Sequence, residues 1–320
     1  MTESMASKTG LLFPGQGAQT VGMGKELYDN FDDARRTFDT ANSVLGFDIT
    51  KIIFEGPDET LRQTQYTQPA VFVASIAAYR VFSSAAGLSP QNCIAAGHSL
   101  GEYSALCAAG VFSLEEGLEL VKARGEYIQK ASASTPGTMA AIIGLETAKI
   151  GEICAAVKDK GVCEAVNFNS PGQVVIAGSI GAVEAAAKLC QEAGATKAIL
   201  LNVSGPFHSS LMTPASIMMR EKLAGYSLKE PVFPVITNCD AAPVTDNNLL
   251  ADKLVRQINS PVLWEDTIRR MISMNVGTFI EIGPGRVLSG LLRRIDKTKK
   301  TYNVEDKSSL EKAVTGVHSL

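Results

Sequence analysis

Nothing in this chain carries the spacing of a metal site. Its six cysteines, at 93, 107, 154, 163, 190 and 239, form no C-x-x-C pair and stand at no ligand spacing from a histidine. Zinc-finger and thioredoxin-like readings therefore fall away, and no metal is expected. The cysteines read as small core residues of a reducing compartment. Basic residues are not in excess either: 30 Lys and Arg against 33 Asp and Glu leave a net charge of −3. That balance argues against nucleic acid as the main partner. Long hydrophobic runs are also missing. The longest apolar stretch, residues 70–79, is interrupted by Ser75 and is too short to cross a bilayer. The first eight residues hold no apolar core of a secretory signal. With no coiled-coil heptads and no obvious symmetric patch, a cytoplasmic monomer away from membranes is the expectation.

What is present centres on Gly97-His98-Ser99-Leu100-Gly101, a G-x-S-x-G elbow. The apolar run 93–96 before it suits a buried strand, and residues 102–109 after it read as a helix stopped at Gly110. So tight a strand-to-helix turn strains the serine's dihedrals and presses neighbouring backbone close, which glycine on both flanks permits. The serine hydroxyl is then pushed out at the top of the sheet. A chance pentapeptide in a glycine-rich turn is the plain alternative.

The chain around the elbow alternates helices and apolar strands, the pattern of a mostly parallel sheet. Residues 9–13 read as the first strand and 25–41 as helical in character. A helix opens at Thr67-Gln68-Pro69, with the proline in its first turn, and Ser113 to Glu116 forms a capping box for a helix to about residue 130. Ser132 to Gly137 is a break in composition. From 138 to 203 the order becomes β-α-β-β-α-β, the ferredoxin-like motif. The expected architecture is a hydrolase-like α/β large domain, residues 1–135 and 204–320, with a ferredoxin-like small domain, 136–203, inserted. The tail after Arg293 is polar and reads as partly loose, and its basic cluster as a solvated face.

A serine needs a base at neutral pH, and the chain offers three histidines. His318 is third from the end and reads as frayed; His98 should project away from the serine hydroxyl. His208 sits where an apolar strand exits into a helix, so by elimination it is the base, with a helix-capping histidine as the bland alternative. No acidic residue stands convincingly at a strand end to orient it, which leaves a backbone carbonyl for the imidazole N–H. Arg124 lies on a helical stripe with Leu120, Val121 and Ile128 that faces the core. A buried arginine cannot shed its proton and must find acceptors. An internal pair with Glu102, an outward-reaching side chain and a substrate carboxylate are all open from spacing alone. The glycines of 15–22 complete neither a dinucleotide loop nor a P-loop. They read as backbone brought to the elbow, where an N–H could bind an oxyanion.

Seven segments occur together in order: Phe13 to Gln19 (FPGQGAQ), Gly97 to Glu102 (GHSLGE), Arg124-Gly125, Asn167 to Gly172 (NFNSPG), Gly205 to His208 (GPFH), Gln257 to Val262 (QINSPV) and Glu281 to Gly285 (EIGPG). With them, residues 9 to 295 resemble the malonyl-CoA:acyl carrier protein transacylase family of type II fatty acid synthesis. The resemblance implies Ser99 as nucleophile, His208 as base, and an oxyanion hole from the N–H groups of Gln16 and Leu100. It implies Arg124 as the grip on the malonyl carboxylate and the backbone carbonyl of Gln257 as the group orienting His208. Malonyl-CoA and acyl carrier protein would be the partners, with no cofactor beyond the coenzyme A thioester itself. A serine hydrolase or thioesterase on the same elbow, and a non-catalytic carrier-binding module, are the competing readings.

Overall fold

The computed structural model describes residues 7–244 and 246–319. Residues 1–6, where the missing signal core was read, lie outside the described residues.

Among the described residues nine strands form two sheets: β1 (Lys8–Phe13), β2 (Cys93–Gly97), β3 (Thr138–Ile143), β4 (Cys163–Ser170), β5 (Gln173–Gly178), β6 (Lys197–Leu200), β7 (Val235–Ile236), β8 (Val276–Ile282) and β9 (Lys300–Val304). The larger sheet runs β7-β2-β1-β8-β9 with every neighbouring pair parallel. Parallel strands need crossovers, and the crossover helices cover both faces, so these strands are apolar throughout. Along β1 the pleat sends Leu11 and Phe13 into one core and Leu12 into the other, where it meets Ile94, Trp264 and Phe279. The smaller sheet runs β4-β5-β3-β6, all antiparallel, with helices Thr147–Ala156 and Ile180–Glu192 supplying its core. A backbone clasp ties β4 to the segment before helix Trp264–Ser273: Val262 N donates to Val166 O at 2.8 Å, and Phe168 N donates to Val262 O at 3.0 Å.

The helical stretch expected over 25–41 is two helices, Lys25–Asn30 and Asp32–Leu45, because Phe31 between them is extended. The proline helix starts earlier, at Thr64, so Pro69 is its sixth residue rather than part of its first turn. The carbonyl that Pro69 cannot serve belongs to half-buried Gln65. This helix, Thr64–Ala86, reaches a mean hydropathy of 1.3 over its most apolar window, long and apolar enough to cross a membrane by composition. Most of it is buried inside the protein instead, among Phe13, Leu106 and Leu118 of the main core. The capping box is present as read: Ser113 Oγ accepts from Glu116 N at 3.1 Å, and Glu116 Oε2 accepts from Ser113 N at 2.7 Å.

The tail is not loose. Residues 300–304 add the parallel edge strand β9, and Lys307–His318 is a helix that buries Leu310 and Ala313 in the main core. His318, read as frayed, lies 3.1 Å from the Ala86 carbonyl. The polar surface misled the reading because one buried side per strand and helix suffices to dock both. Deleting residues 297–320 should therefore destabilise the whole protein. Burying each large side chain contributes about 1.5–3 kcal/mol, against a total of about 5–15 kcal/mol. Thermal unfolding checks this: a truncated chain that melts cooperatively at the intact temperature would restore the loose-tail picture.

Candidate active site

Backbone closeness at the elbow comes first. A Cβ on Gly97 would sit 1.9 Å from the Gly101 carbonyl, and one on Gly101 would sit 2.0 Å from Phe13 O. Only glycine lets β2 turn into helix Gly101–Ala108 against the end of β1. Ser99 pays with a φ of +52°, a left-handed conformation unusual for a side-chain-bearing residue. Two hydrogen bonds hold it there: its N–H donates to Asn238 Oδ1 at 2.7 Å, and its carbonyl accepts from Gln257 Nε2 at 2.7 Å.

Four of the residues expected from the sequence converge. Ser99 Oγ is 2.7 Å from His208 Nε2 and 3.1 Å from Arg124 Nη2, and His208 Nδ1 is 2.8 Å from the Gln257 carbonyl. A carbonyl can only accept, so Nδ1 carries the proton and Nε2 offers its lone pair to the hydroxyl. His208 is buried, with a φ of +64°. Burial, and then the Arg124 cation, push its pKa down to about 3. The ring is thus neutral across the working range of pH.

Arg124, on helix Leu114–Ser134, is 2% exposed. Nη1 donates to Gln68 Oε1 at 2.8 Å and Nη2 to Gln257 Oε1 at 3.0 Å, while the guanidinium carbon lies 5.5 Å from the Tyr103 ring centre. The direct pair with Glu102, one of the options left open by spacing, does not form. Instead Gln257 stands between them, its Nε2 donating to Glu102 Oε2 at 2.9 Å. Arg124 Nε finds no acceptor among the described residues. Burial holds the arginine below its ordinary pKa and pushes Glu102 up to about 7.

Gln16 and Leu100 line the same cleft as Ser99, about 550 Å³ in volume. Among the described residues neither backbone N–H has an acceptor. Gly15 lets that first loop reach the elbow, since a Cβ there would fall 2.3 Å from the His98 carbonyl. His98 turns away, its Nε2 2.9 Å from Asn169 Oδ1 and its ring 5.4 Å from that of Trp264. His318 and the basic residues 293–300 do not line the cleft. Within that cluster Arg294 reaches Gln173 at 2.9 Å, and nearby Arg286 pairs with Glu305 at 3.2 Å.

Sequence reading missed Gln68, Asn238 and the anchoring role of Glu102. Asn238 stood just past a strand of the main sheet, where sites form, yet an asparagine there carries no motif of its own.

Comparison with known proteins now bears on this geometry. The acyl transferase domain model matches residues 11–314. The chain is 43% identical over 309 residues to the malonyl CoA-acyl carrier protein transacylase of Bacillus subtilis, covering 96% of each. It is 42% identical to that of Escherichia coli K12, over 95% of this chain and 97% of the relative. The chain belongs to the malonyl CoA-acyl carrier protein transacylase family. Among solved structures, the acyl carrier protein S-malonyltransferase of Vibrio cholerae superposes with a TM-score of 0.92 at 45% identity, covering 96% of this chain and all of that one. A malonyl-transacylase in complex with its type II PKS acyl-carrier protein gives 0.93 at 42%, over 97% and 100%.

Were this neutral imidazole to serve Ser99 as base, acylation there should hold its rate well below pH 6.5. Protonation sets in only near the depressed pKa, and the acid limb moves down with it. Single-turnover acylation measured from pH 4 to pH 8 checks this. An acid limb at 6.5 or above would mean that the folded site accepts the proton readily.

Proposed function

We propose that this protein moves a malonyl group from malonyl-CoA to the phosphopantetheine thiol of acyl carrier protein, through a malonyl ester on Ser99. One observation carries the reading: a neutral histidine and a buried arginine converge on the same serine oxygen, at 2.7 and 3.1 Å. Nε2 of His208 takes the hydroxyl proton as Oγ attacks the thioester carbonyl. The developing oxyanion meets the N–H groups of Gln16 and Leu100. The Gln257 carbonyl holds the imidazolium through Nδ1–H, and that proton on Nε2 passes to the departing coenzyme A sulfur. The carrier thiol then reverses the sequence, with His208 taking the thiol proton.

Arg124 has two consequences in this reading. Its fork grips the malonyl carboxylate bidentately. Its charge also depresses the His208 pKa, so a carboxylate bound there offsets the repulsion and strengthens the base as the matching substrate arrives. A plain hydrolase has no use for that cation. We read residues 136–203 as the ferredoxin-like small domain, inserted into the hydrolase-like large domain of 1–135 and 204–320. The strand order β6-β3-β5-β4 with its two helices supports that reading. The thioester is already activated, so no metal or resident cofactor is called for, and the chain works as a cytoplasmic monomer.

Ser99→Ala should abolish labelling by malonyl-CoA, read by intact-protein mass, and His208→Ala should slow it by several orders of magnitude. Label persisting on Ser99→Ala would overturn the nucleophile. Arg124→Ala should lower malonyl transfer by two or more orders of magnitude, about 3 kcal/mol for a charge-assisted pair lost from a dry site. Acetyl transfer, assayed on the same preparation, should hold steady or rise. A proportional fall in both would make Arg124 a structural residue.

A further inference from the structure

Cys154 and Cys163 stand apart from the chemistry above. Cys154 lies in the last turn of helix Thr147–Ala156 and Cys163 opens β4. Their sulfurs are 3.6 Å apart, with the Cys163 thiol donating. Cys154 keeps 6% of its surface exposed and Cys163 is half-buried, whereas Cys190 is fully buried. The next residue, Glu164, accepts the backbone N–H of Ser210 on Oε2 at 2.7 Å. Ser210 is two residues from His208, whose φ of +64° leaves the intervening chain little freedom to absorb a shift. The start of β4 is thereby tied directly to the segment that presents the imidazole.

We propose that Cys154 and Cys163 are a peroxide-oxidisable dithiol whose disulfide displaces Glu164 and so detunes the His208 segment. The donated S–H holds Cys154 below its ordinary thiol pKa, which favours the reactive thiolate. The same contact and burial raise Cys163, as suits a resolving partner. Cys190, fully buried, is pushed up to about 11 and stays a thiol.

The Cys154 sulfur attacks one peroxide oxygen, the O–O bond breaks, and the second oxygen leaves as water after taking a proton. The resulting sulfenic acid is attacked by the Cys163 sulfur, an S–S bond forms, and a second water departs. Two thiols and one hydrogen peroxide give one disulfide and two waters. A disulfide holds its sulfurs at about 2.05 Å, so closure draws the start of β4 toward the helix by roughly 1.5 Å from the 3.6 Å seen here.

The test treats the reduced full-length protein with hydrogen peroxide, alkylates free thiols and digests with trypsin. Lys158 and Lys160 lie between the two cysteines, so only a disulfide keeps their peptides together. The joined peptide should appear, vanish with dithiothreitol, and be absent from Cys163→Ser. Labelling of Ser99 by malonyl-CoA should fall by about a hundredfold on oxidation, as for an ångström-scale misplacement, and recover on reduction. Cys163→Ser should label normally and keep its rate after peroxide. The coupling step rests on the malonyl reading, but the peptide does not. If untreated Cys163→Ser fails to label, as the untreated wild type would, that reading fails while the peptide still reports on the dithiol. No joined peptide, a Cys154–Cys190 link, or a link that leaves the labelling rate unchanged each overturns the proposal.

Discussion

A fully buried guanidinium and a fully buried carboxyl group, Arg124 and Glu102, are connected through a single side-chain amide. Arginine cannot discharge its burial by losing a proton, so the interior must supply acceptors. It supplies two amide oxygens, Gln68 Oε1 and Gln257 Oε1. The second also decides which way the Gln257 amide faces. Arginine only donates, so Oε1 must turn to it, and Nε2 is left to Glu102 and to the Ser99 carbonyl. Glu102 Oε2 accepts from both Gln257 Nε2 and Asn238 N. With its pKa near 7, any proton that the group takes up goes to the other oxygen, and the amide orientation survives titration. Once the Gln257 side chain is fixed at both ends its backbone is fixed too, and that backbone carries the carbonyl that orients His208.

The same set of bonds carries the strain at Ser99. Ser99 and His208 are both left-handed residues without the excuse of glycine, each costing about 1–3 kcal/mol. Asn238 spans the elbow, taking the Ser99 N–H and giving its own amide hydrogen to the Gly97 carbonyl at 2.7 Å. Ser99 is thus held from its backbone and His208 through its ring Nδ1. The hydroxyl and the imidazole meet at 2.7 Å between these two holds.

Most of this was legible wherever chemistry and backbone geometry coincide. The G-x-S-x-G elbow is readable because two glycines are demanded by contacts of about 2 Å, and a lone strand-end histidine is readable because so few histidines compete. Arg124 was readable as buried from its stripe, but its partners were not: Gln68 and Gln257 lie 56 and 133 residues away along the chain, and amides leave no periodic trace. The tail failed for another reason. β9 buries Val304 alone and leaves the rest of the strand half covered, so its composition resembles that of a solvated segment. Some recognised motifs also proved to be architectural. Glu281 of EIGPG is buried and accepts the N–H groups of Leu288 and Ser289 at 2.9 and 2.8 Å, capping the helix Val287–Ile295.

The two sheets give the cleft walls of opposite character. From the parallel sheet's side come Ser99, His98, Arg124 and the N–H groups of Gln16 and Leu100, which have no acceptor among the described residues. Met139 of β3 and Leu201, Val203 and Phe207 beyond β6 supply an apolar wall opposite. Met139 and Val166 pack in one small cluster with Phe207 and Val203, and the Val166 carbonyl is clasped by Val262. The apolar wall is therefore pinned to the segment that follows Gln257, the residue that also orients the imidazole. A chain lying along that wall would shield the serine from water while its reacting end met the buried guanidinium of Arg124. Low dielectric strengthens that encounter and starves a competing water of access. The wall and the imidazole are held by one piece of backbone, so each keeps its place relative to the other.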